Sequence, residues 1–289
     1  MRRRTLLQAP LPLALGLVGA GCGAAGSVSS MAFDVARRLA EALPTAKGAF
    51  ADVDEPQEIE LGRAVTAAVG ARYKVLRDRA LTRYLAFVGN AVASVSDRPD
   101  IRYFFVVLDA PEVNAFAAPG GFVFVTRGTL ALIRDEATLA GVLGHEVGHV
   151  ALRHHVETIK AQKRKELGVL GVSAAASQTG AAPFASAIAA AADAVTEQVV
   201  LKGFSRGEEG EADRVGQQYA ARAGYDPAGL RDFLAAMASR EGKDATASTF
   251  FSTHPGIPER LREQERLLAA QPSGGRRNRE RFALAVGTR

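Results

Sequence analysis

Apolar residues recur at three- and four-residue spacing along much of the chain, and this pattern predicts amphipathic helices. One such pattern covers 57–96, a second runs from about 136 to about 166, and a third covers about 207–223. Asp135 is a favourable N-cap for the second pattern, and the acidic residue after it suits the positive end of a helix dipole. We therefore expect helices to form most of the molecule.

Two segments follow the strand pattern instead, because β-branched and aromatic residues dominate 101–108 and 122–126. The sequence Pro119-Gly120-Gly121 before the second segment predicts a turn, with the extended residues that precede it forming the other half of a hairpin. We expect a small antiparallel sheet inside a mostly helical domain, which is an α+β fold.

The 289 residues are 47% hydrophobic and 23% charged, which is typical of globular proteins. The net charge is +5, and three of the positive charges are the consecutive arginines at 2–4. The remaining charges are dispersed, so the sequence does not indicate a nucleic-acid partner. The single cysteine, Cys22, excludes an internal disulfide framework.

The first 21 residues have the layout of a secretory signal, with arginines, an uncharged apolar stretch and then small residues before Cys22. The stretch "VGAGC" resembles a lipoprotein signal, which implies lipid attachment at Cys22 and, from Gly23, the outer membrane on the periplasmic side. Simple secretion and a retained anchor are the alternatives.

The predicted organisation is therefore a signal peptide over 1–21, a tether and N-terminal segment over 22–54, a main folded domain over 55–271 and an exposed basic tail over 272–289. Within the domain, 167–192 carries no charge, and its length suits a membrane span. Its alanine, glycine and serine content favours a loop or lid instead, since these residues transfer poorly into lipid.

Two histidines lie four residues apart, with a glutamate after the first, in His145-Glu146-x-x-His149. On a helix this spacing places both imidazoles on one face, where they can bind one tetrahedral Zn²⁺. Glu146 then lies beside that face, where a general base takes the proton of the attacking water. Gly144 and Gly148 are unfavourable in a helix interior, so we expect another segment to approach the helix closely there.

Catalytic zinc needs a third protein ligand, and the run Glu208, Glu209, Glu211 and Asp213 supplies candidates. Glu209 and Asp213 lie four residues apart on one helical face, so Glu209 can bind the metal while Asp213 accepts a hydrogen bond from a ligand histidine. A solvated acidic face is the alternative interpretation of this run.

Three separated motifs, "LGHEVGHVALRH", "SRGEEGEADRVG" and "STHPGIPERL", together resemble the M48 peptidases, a gluzincin family, over about 55–270. The resemblance implies a zincin fold with one Zn²⁺ held by His145, His149 and Glu209, and Asp213 as the partner of His145.

The same resemblance implies roles for residues outside the ligand set. The segment Asn114, Ala115, Phe116 and Ala117 is expected to be an edge strand that binds an extended peptide through its main chain. His254 is expected near the metal, where it stabilises an oxyanion or closes the open coordination position. Arg260 is expected to pair with carboxylates of the site or to have a structural role. His154 and His155 are expected to be structural or exposed.

The leading hypothesis is a zinc endopeptidase that cleaves unfolded or misassembled cell-envelope proteins. A chaperone for outer-membrane proteins that uses the same groove with latent proteolysis is the alternative. A zinc hydrolase of non-peptide bonds is the third possibility.

Overall fold

The computed structural model of this chain describes residues 53–158, 160, 193, 195–197, 202–270 and 274–287. Cys22, the signal segment 1–21, nearly all of the tether and the uncharged stretch 167–192 lie outside the described residues. None of the described helices combines the length and the apolar character that a membrane crossing requires.

The predicted helical pattern over 57–96 forms two helices, α1 (Glu55–Arg72) and α2 (Arg79–Ala93). Asp54 and Asp78 cap their N-termini. The chain between them is extended, because the amide of Leu76 donates to the carbonyl of Val107 and lies beside the first strand. A strand contact, which spacing alone does not reveal, thus interrupts the predicted helix.

Three strands form one sheet, β1 (Phe104–Leu108), β2 (Ala115–Ala118) and β3 (Phe122–Thr126), in the order β1-β3-β2. The β2–β3 hairpin is antiparallel, as predicted, while β1 runs parallel to β3 and makes the sheet mixed. The strand that follows β1 in the sequence does not pair with it. Instead, the fully buried β3 lies between β1 and β2. Strand β2 therefore lies at an edge of the sheet.

The hairpin turn requires glycine at two positions. Gly120 and Gly121 have φ angles of 72° and 94°, in the left-handed region that side chains disfavour. A Cβ atom at Gly120 would lie 2.6 Å from the Cα of Ile59, and one at Gly121 would lie 2.5 Å from the carbonyl oxygen of Arg102. The turn thus packs tightly against α1 and the start of β1.

Helix α3 (Arg127–Leu132) is short and leads into α4 (Glu136–Ala151), which is buried along almost its whole length. The Asp135 side chain accepts a hydrogen bond from the amide of Thr138, which confirms the predicted cap. The prediction that this helix continues to about 166 is wrong. The chain turns at Leu152 and Arg153, where Arg153 has a φ of 58°, and residues 154–158 then form a separate helical segment.

Helix α5 (Arg206–Arg222) forms where the third pattern predicts it, and Ser205 and Glu208 form a capping box at its start. Three further helices follow: α6 (Gly229–Ala238), α7 (Ser248–Thr253) and α8 (Ile257–Ala269). Arg260 lies on α8. Gly256, with a φ of 82°, makes the turn into α8.

The core has two parts that meet at the sheet. The larger part surrounds α4 and includes residues of α2, α5, α6 and the strands, such as Leu85, Leu143 and Leu234. The smaller part lies between α1 and the opposite side of the sheet and includes Val65 and Phe124. Both faces of the sheet are thus covered, and α4 has a rigid position in the centre of the domain.

Most of residues 274–287 are exposed, as expected, but the segment docks on the domain and includes α9 (Arg279–Val286) with a buried Phe282. Arg277 lies at the start of α4, where its guanidinium contacts Asp135 at 2.7 Å, Asp226 at 2.8 Å and Asp232 at 2.5 Å. The segment docks on the domain because its positive charges contact carboxylates at the N-terminus of the central helix, α4.

Replacing Arg277 by alanine leaves the buried carboxylate of Asp135 without its closest cationic partner. We expect Arg277→Ala to lower the free energy of unfolding by about 1–3 kcal/mol, measured by urea denaturation. Arg279→Ala is the matched control, because Arg279 is exposed and 3.7 Å from the same carboxylate. An exposed pair of this kind contributes about 0–1 kcal/mol, so equal losses in the two variants would contradict this account.

Candidate metal centre

Helices α4 and α5 approach each other closely at three glycines. A Cβ atom at Gly144 would lie 2.6 Å from the carbonyl oxygen of Gly216, and one at Gly148 would lie 3.0 Å from that of Ala212. This confirms the expectation that another segment approaches the helix at Gly144 and Gly148. The close approach brings the acidic face of α5 against the histidine face of α4.

Three potential donor side chains converge at this contact. Nε2 of His145 lies 3.1 Å from Nε2 of His149, and Glu209 places its two carboxylate oxygens 3.5 Å and 3.3 Å from these nitrogens. All three side chains are buried. Together with His254 they form a group that could hold a metal ion.

The donor set fits zinc in chemistry and in spacing. Ligand atoms about 2.0–2.1 Å from a tetrahedral zinc are about 3.3 Å from one another, close to the separations seen here. Oε1 of Glu209 is buried and, within the described part of the chain, has no hydrogen-bond partner. A buried carboxylate oxygen without a hydrogen-bond partner, 3.3 Å from Nε2 of His149, is an arrangement that a cation completes.

Arg260 and Asp213 hold the donors in place from behind. Asp213 Oδ1 lies 2.8 Å from Nδ1 of His145, the nitrogen that points away from the other donors. The guanidinium of Arg260 donates to both oxygens of Asp213, at 2.7 Å and 2.6 Å, and to Oε2 of Glu209. The structure thus places Arg260 between the two carboxylates of α5.

The carboxylates of the group favour positive charge at His145, while burial holds the pKa of His149 well below its usual value. Burial alone lowers the pKa of His145, but the carboxylates of Glu209 and Asp213 outweigh it and raise this pKa to about 10. Burial alone raises the pKa of Glu209, but Arg260 and the neighbouring histidines hold it well below its usual value. Glu209 is therefore an ionised donor at neutral pH.

Glu146 lies on α4 next to His145 and is buried. Its burial raises the pKa of its carboxyl group, against the opposing effect of the nearby His145 and His254. A higher pKa makes a carboxylate a stronger base, which suits proton transfer near neutral pH.

His254 joins the group from the loop between α7 and α8. Its Nδ1 lies 3.1 Å from Oε2 of Glu209, and its Nε2 donates to the carbonyl of Ala115 at 2.9 Å. The preceding residue, Thr253, donates to the side-chain oxygen of Asn114. The loop therefore connects the metal-ligand candidates to edge strand β2.

The outward-facing carbonyls of β2 belong to Ala115 and Ala117. That of Ala117 accepts a hydrogen bond from Nε2 of His155 at 2.8 Å. Phe116 between them pairs with Phe124 of β3, and their rings stack with centroids 5.1 Å apart. All four predicted edge residues are buried. Ala115 and Ala117 direct their carbonyls away from β3 into hydrogen bonds with His254 and His155, so this edge is covered in the structure.

Two histidines that are expected to be structural or exposed, and one aromatic residue without a predicted role, lie at this site. His154 places Nδ1 2.8 Å from Nδ1 of His149, His155 contacts β2, and Phe204 stacks on the ring of His149 at a centroid distance of 4.2 Å. His154 and His155 are both buried, so the exposed alternative is wrong. If α4 continued past residue 151, His154 and His155 would point in other directions. The sequence could have predicted their contacts only through a signal that the helix breaks at this point.

The comparison with protein families gives the class that this geometry defines. The model of peptidase family M48 matches residues 79–267, which is more than half of the chain. The chain belongs to peptidase family M48.

Individual relatives agree with this class. The "Beta-barrel assembly-enhancing protease" of Yersinia pestis is 30% identical over 233 residues, 78% of this chain and 46% of the relative. The "Mitochondrial metalloendopeptidase OMA1" of Schizosaccharomyces pombe is 32% identical over 187 residues, 65% of this chain and 53% of the relative. The "Metalloprotease LoiP" of Escherichia coli is 30% identical over 186 residues, 64% of this chain and 70% of the relative. The chain thus spans about half the length of the first two.

A methyl group at Gly216 would contact the backbone of α4, with Cβ 2.6 Å from the carbonyl carbon of Gly144. We expect Gly216→Ala to lower the free energy of unfolding by about 1–3 kcal/mol through overpacking and to weaken zinc binding, because the two helices carry the donors. Chemical denaturation and zinc titration measure the two effects.

Gly210→Ala is the matched control on the same helix, since a Cβ there has nothing within 4 Å. Alanine is favoured over glycine in a helix by about 1 kcal/mol, so this variant should be as stable as the parent or more stable. A Gly216→Ala protein with unchanged stability and zinc affinity would contradict the close-packing argument.

Proposed function

We propose that this protein is a zinc-dependent endopeptidase that cleaves unfolded or misassembled proteins of the cell envelope. The observation that carries the proposal is the convergence of His145, His149 and Glu209 at 3.1–3.5 Å, with one buried oxygen of Glu209 unsatisfied. Glu146 follows the first of these histidines on the same helix.

Zinc, when bound, acts as a Lewis acid that polarises a carbonyl and makes water a stronger nucleophile near neutral pH. Glu146 takes the proton of the attacking water on its carboxylate and delivers it to the nitrogen of the leaving amine. The buried surroundings of Glu146 support this role, since they favour its protonated form between the two transfers.

Strand β2 is the proposed binding surface for the substrate chain. The edge away from β3 carries the carbonyls of Ala115 and Ala117, to which an extended peptide can donate main-chain hydrogen bonds once the imidazoles of His254 and His155 move away. Main-chain pairing depends little on the identity of the substrate's side chains, which suits unfolded proteins as substrates. Asn114 holds the start of the strand, and Phe116 holds its centre against β3.

The proposed location rests on the N-terminal segment. The layout of 1–21 supports export, and Cys22 supports a lipid anchor in the outer membrane facing the periplasm. Relatives named as β-barrel assembly-enhancing proteases support envelope proteins as substrates.

One observation favours a second candidate function, a chaperone with latent proteolysis. The carbonyls of Ala115 and Ala117 already accept hydrogen bonds from His254 and His155. A peptide must displace these imidazoles before it pairs along the whole edge. His254 thus either moves to stabilise the oxyanion of the substrate or keeps the site closed until the loop shifts.

The test compares the chain from residue 23 onward as wild type and as Glu146→Gln, with zinc content and casein cleavage measured for both. We expect one zinc per chain in both proteins, because Glu146 is not a ligand, and a fall in cleavage of at least 10²-fold in the variant, since proton transfer is lost. Glu263→Gln, an exposed substitution on α8, is the control and should cleave like the wild type.

Each remaining outcome separates the candidates. Zinc in both proteins with cleavage in neither, together with prevention of aggregation of an unfolded outer-membrane protein, would support the chaperone. Cleavage of small amides but not of casein would favour a non-peptide hydrolase. Absence of zinc from the wild type would overturn the metal centre itself.

A further inference from the structure

The chain reverses immediately after α4 and brings a fourth histidine to the back of the metal-ligand candidates. Nδ1 of His154 lies 2.8 Å from Nδ1 of His149, on the side of that ring opposite to Nε2. Nε2 of His154 in turn lies 3.3 Å from Oε2 of Glu211. The two imidazoles and the carboxylate thus form a continuous line that ends at the candidate donor atom of His149.

The chemistry of imidazole determines where each proton in this line resides. A neutral histidine that binds a metal through Nε2 carries its proton on Nδ1, and this N–H group needs an acceptor when it is buried. His154 Nδ1 is the acceptor at hydrogen-bond distance from His149 Nδ1. His154 must then carry its own proton on Nε2, directed at the carboxylate of Glu211.

We propose that His154 is a positioning residue that fixes the tautomer and the ring orientation of His149 for zinc binding. The proposal rests on the proposed function, since it presumes that His149 binds zinc through Nε2. His154 provides an acceptor for the Nδ1 proton of His149, as Asp213 does for that of His145. Such partners typically change metal affinity by about 10–100-fold when they are removed.

The local backbone is built to deliver this contact. Arg153, the residue before His154, has a φ of 58°, in the left-handed region that L side chains disfavour. The buried carboxylate of Glu58 stabilises this conformation, because it accepts from Nε of Arg153 at 2.9 Å. Glu58 also accepts from Arg98 and from the amide of Gly120 in the hairpin turn. The strained turn is thus anchored to both α1 and the hairpin.

Packing restricts the ring of His149 to this arrangement. Phe204 stacks on His149 with an interplanar angle of 19° and a centroid distance of 4.2 Å, and it also contacts the ring of His154 at 5.8 Å. An aromatic face supplies no acceptor for a ring N–H in the imidazole plane. The in-plane partner of His149 on this side is therefore His154.

The test measures zinc affinity by chelator competition in the full chain and its variants. His154→Phe keeps an aromatic ring but removes the acceptor, and we expect the Kd for zinc to rise by about 10–100-fold. His154→Asn places an amide oxygen near the position of Nδ1 and should recover most of that loss. His155→Phe is the packing control, because His155 is a neighbouring buried histidine that bonds Ala117 and packs on Phe204 but makes no hydrogen bond to a ligand candidate, and its Kd should rise less than that of His154→Phe.

A second readout examines the wild type and does not depend on the folding of any variant. The chain has five histidines, so ¹⁵N-histidine NMR spectra of the zinc-loaded protein can be assigned. The expected result is a His154 ring protonated at Nε2 and unprotonated at Nδ1.

A His154 ring protonated at Nδ1, or equal zinc affinity in His154→Phe and the wild type, would overturn the positioning role while leaving the zinc site intact. A loss in His154→Phe that His154→Asn fails to recover, and that His155→Phe reproduces, would show packing only and would also overturn it. A wild type that binds no zinc would refute the proposed function, and with it this inference.

Discussion

The close approach of α4 and α5 is the constraint on which the rest of the structure depends. Glycines at 144, 148 and 216 let the two backbones come within van der Waals contact, with no room for a Cβ at Gly144 or Gly216. At a normal helix separation of 8–10 Å, the carboxylate of Glu209 would stand farther from the imidazoles. Glycine weakens each helix by about 1 kcal/mol per residue, and the contact between the helices offsets this cost.

Bringing these helices together also buries the carboxylates of α5, and residues from other segments of the chain compensate their charge. Asp213 and Glu209 share the guanidinium of Arg260, which comes from α8, and the loop before α8 supplies His254. The same loop bonds β2, so the metal-ligand candidates and the proposed peptide-binding edge are connected through it. At the far end of α4, Arg277 neutralises the carboxylates around Asp135 and fixes the helix start. The buried cluster thus depends on residues from segments that lie far apart in the sequence.

The sequence predicts the parts of this site that depend on local periodicity. The histidine spacing on α4, the Asp135 cap, the glycine contact and the Glu209–Asp213 face of α5 follow from residues three or four positions apart, and the family assignment is confirmed. The break at Arg153 does not follow, because its left-handed conformation is stabilised by Glu58, 95 residues away. The parallel pairing of β1 with β3 and the docking of residues 274–287 depend equally on distant partners, such as the acidic groups that Arg277 meets. Local patterns cannot report interactions of this kind.

The most direct test of the central claim is X-ray absorption at the zinc edge of the purified, zinc-loaded chain, with His149→Phe as the comparison. The account predicts one zinc per chain with two imidazole nitrogens and one carboxylate in its coordination shell, at about 2.0–2.2 Å, and loss of one imidazole or of the metal in the variant. A shell without histidine nitrogen, or a spectrum that the substitution leaves unchanged, would contradict it.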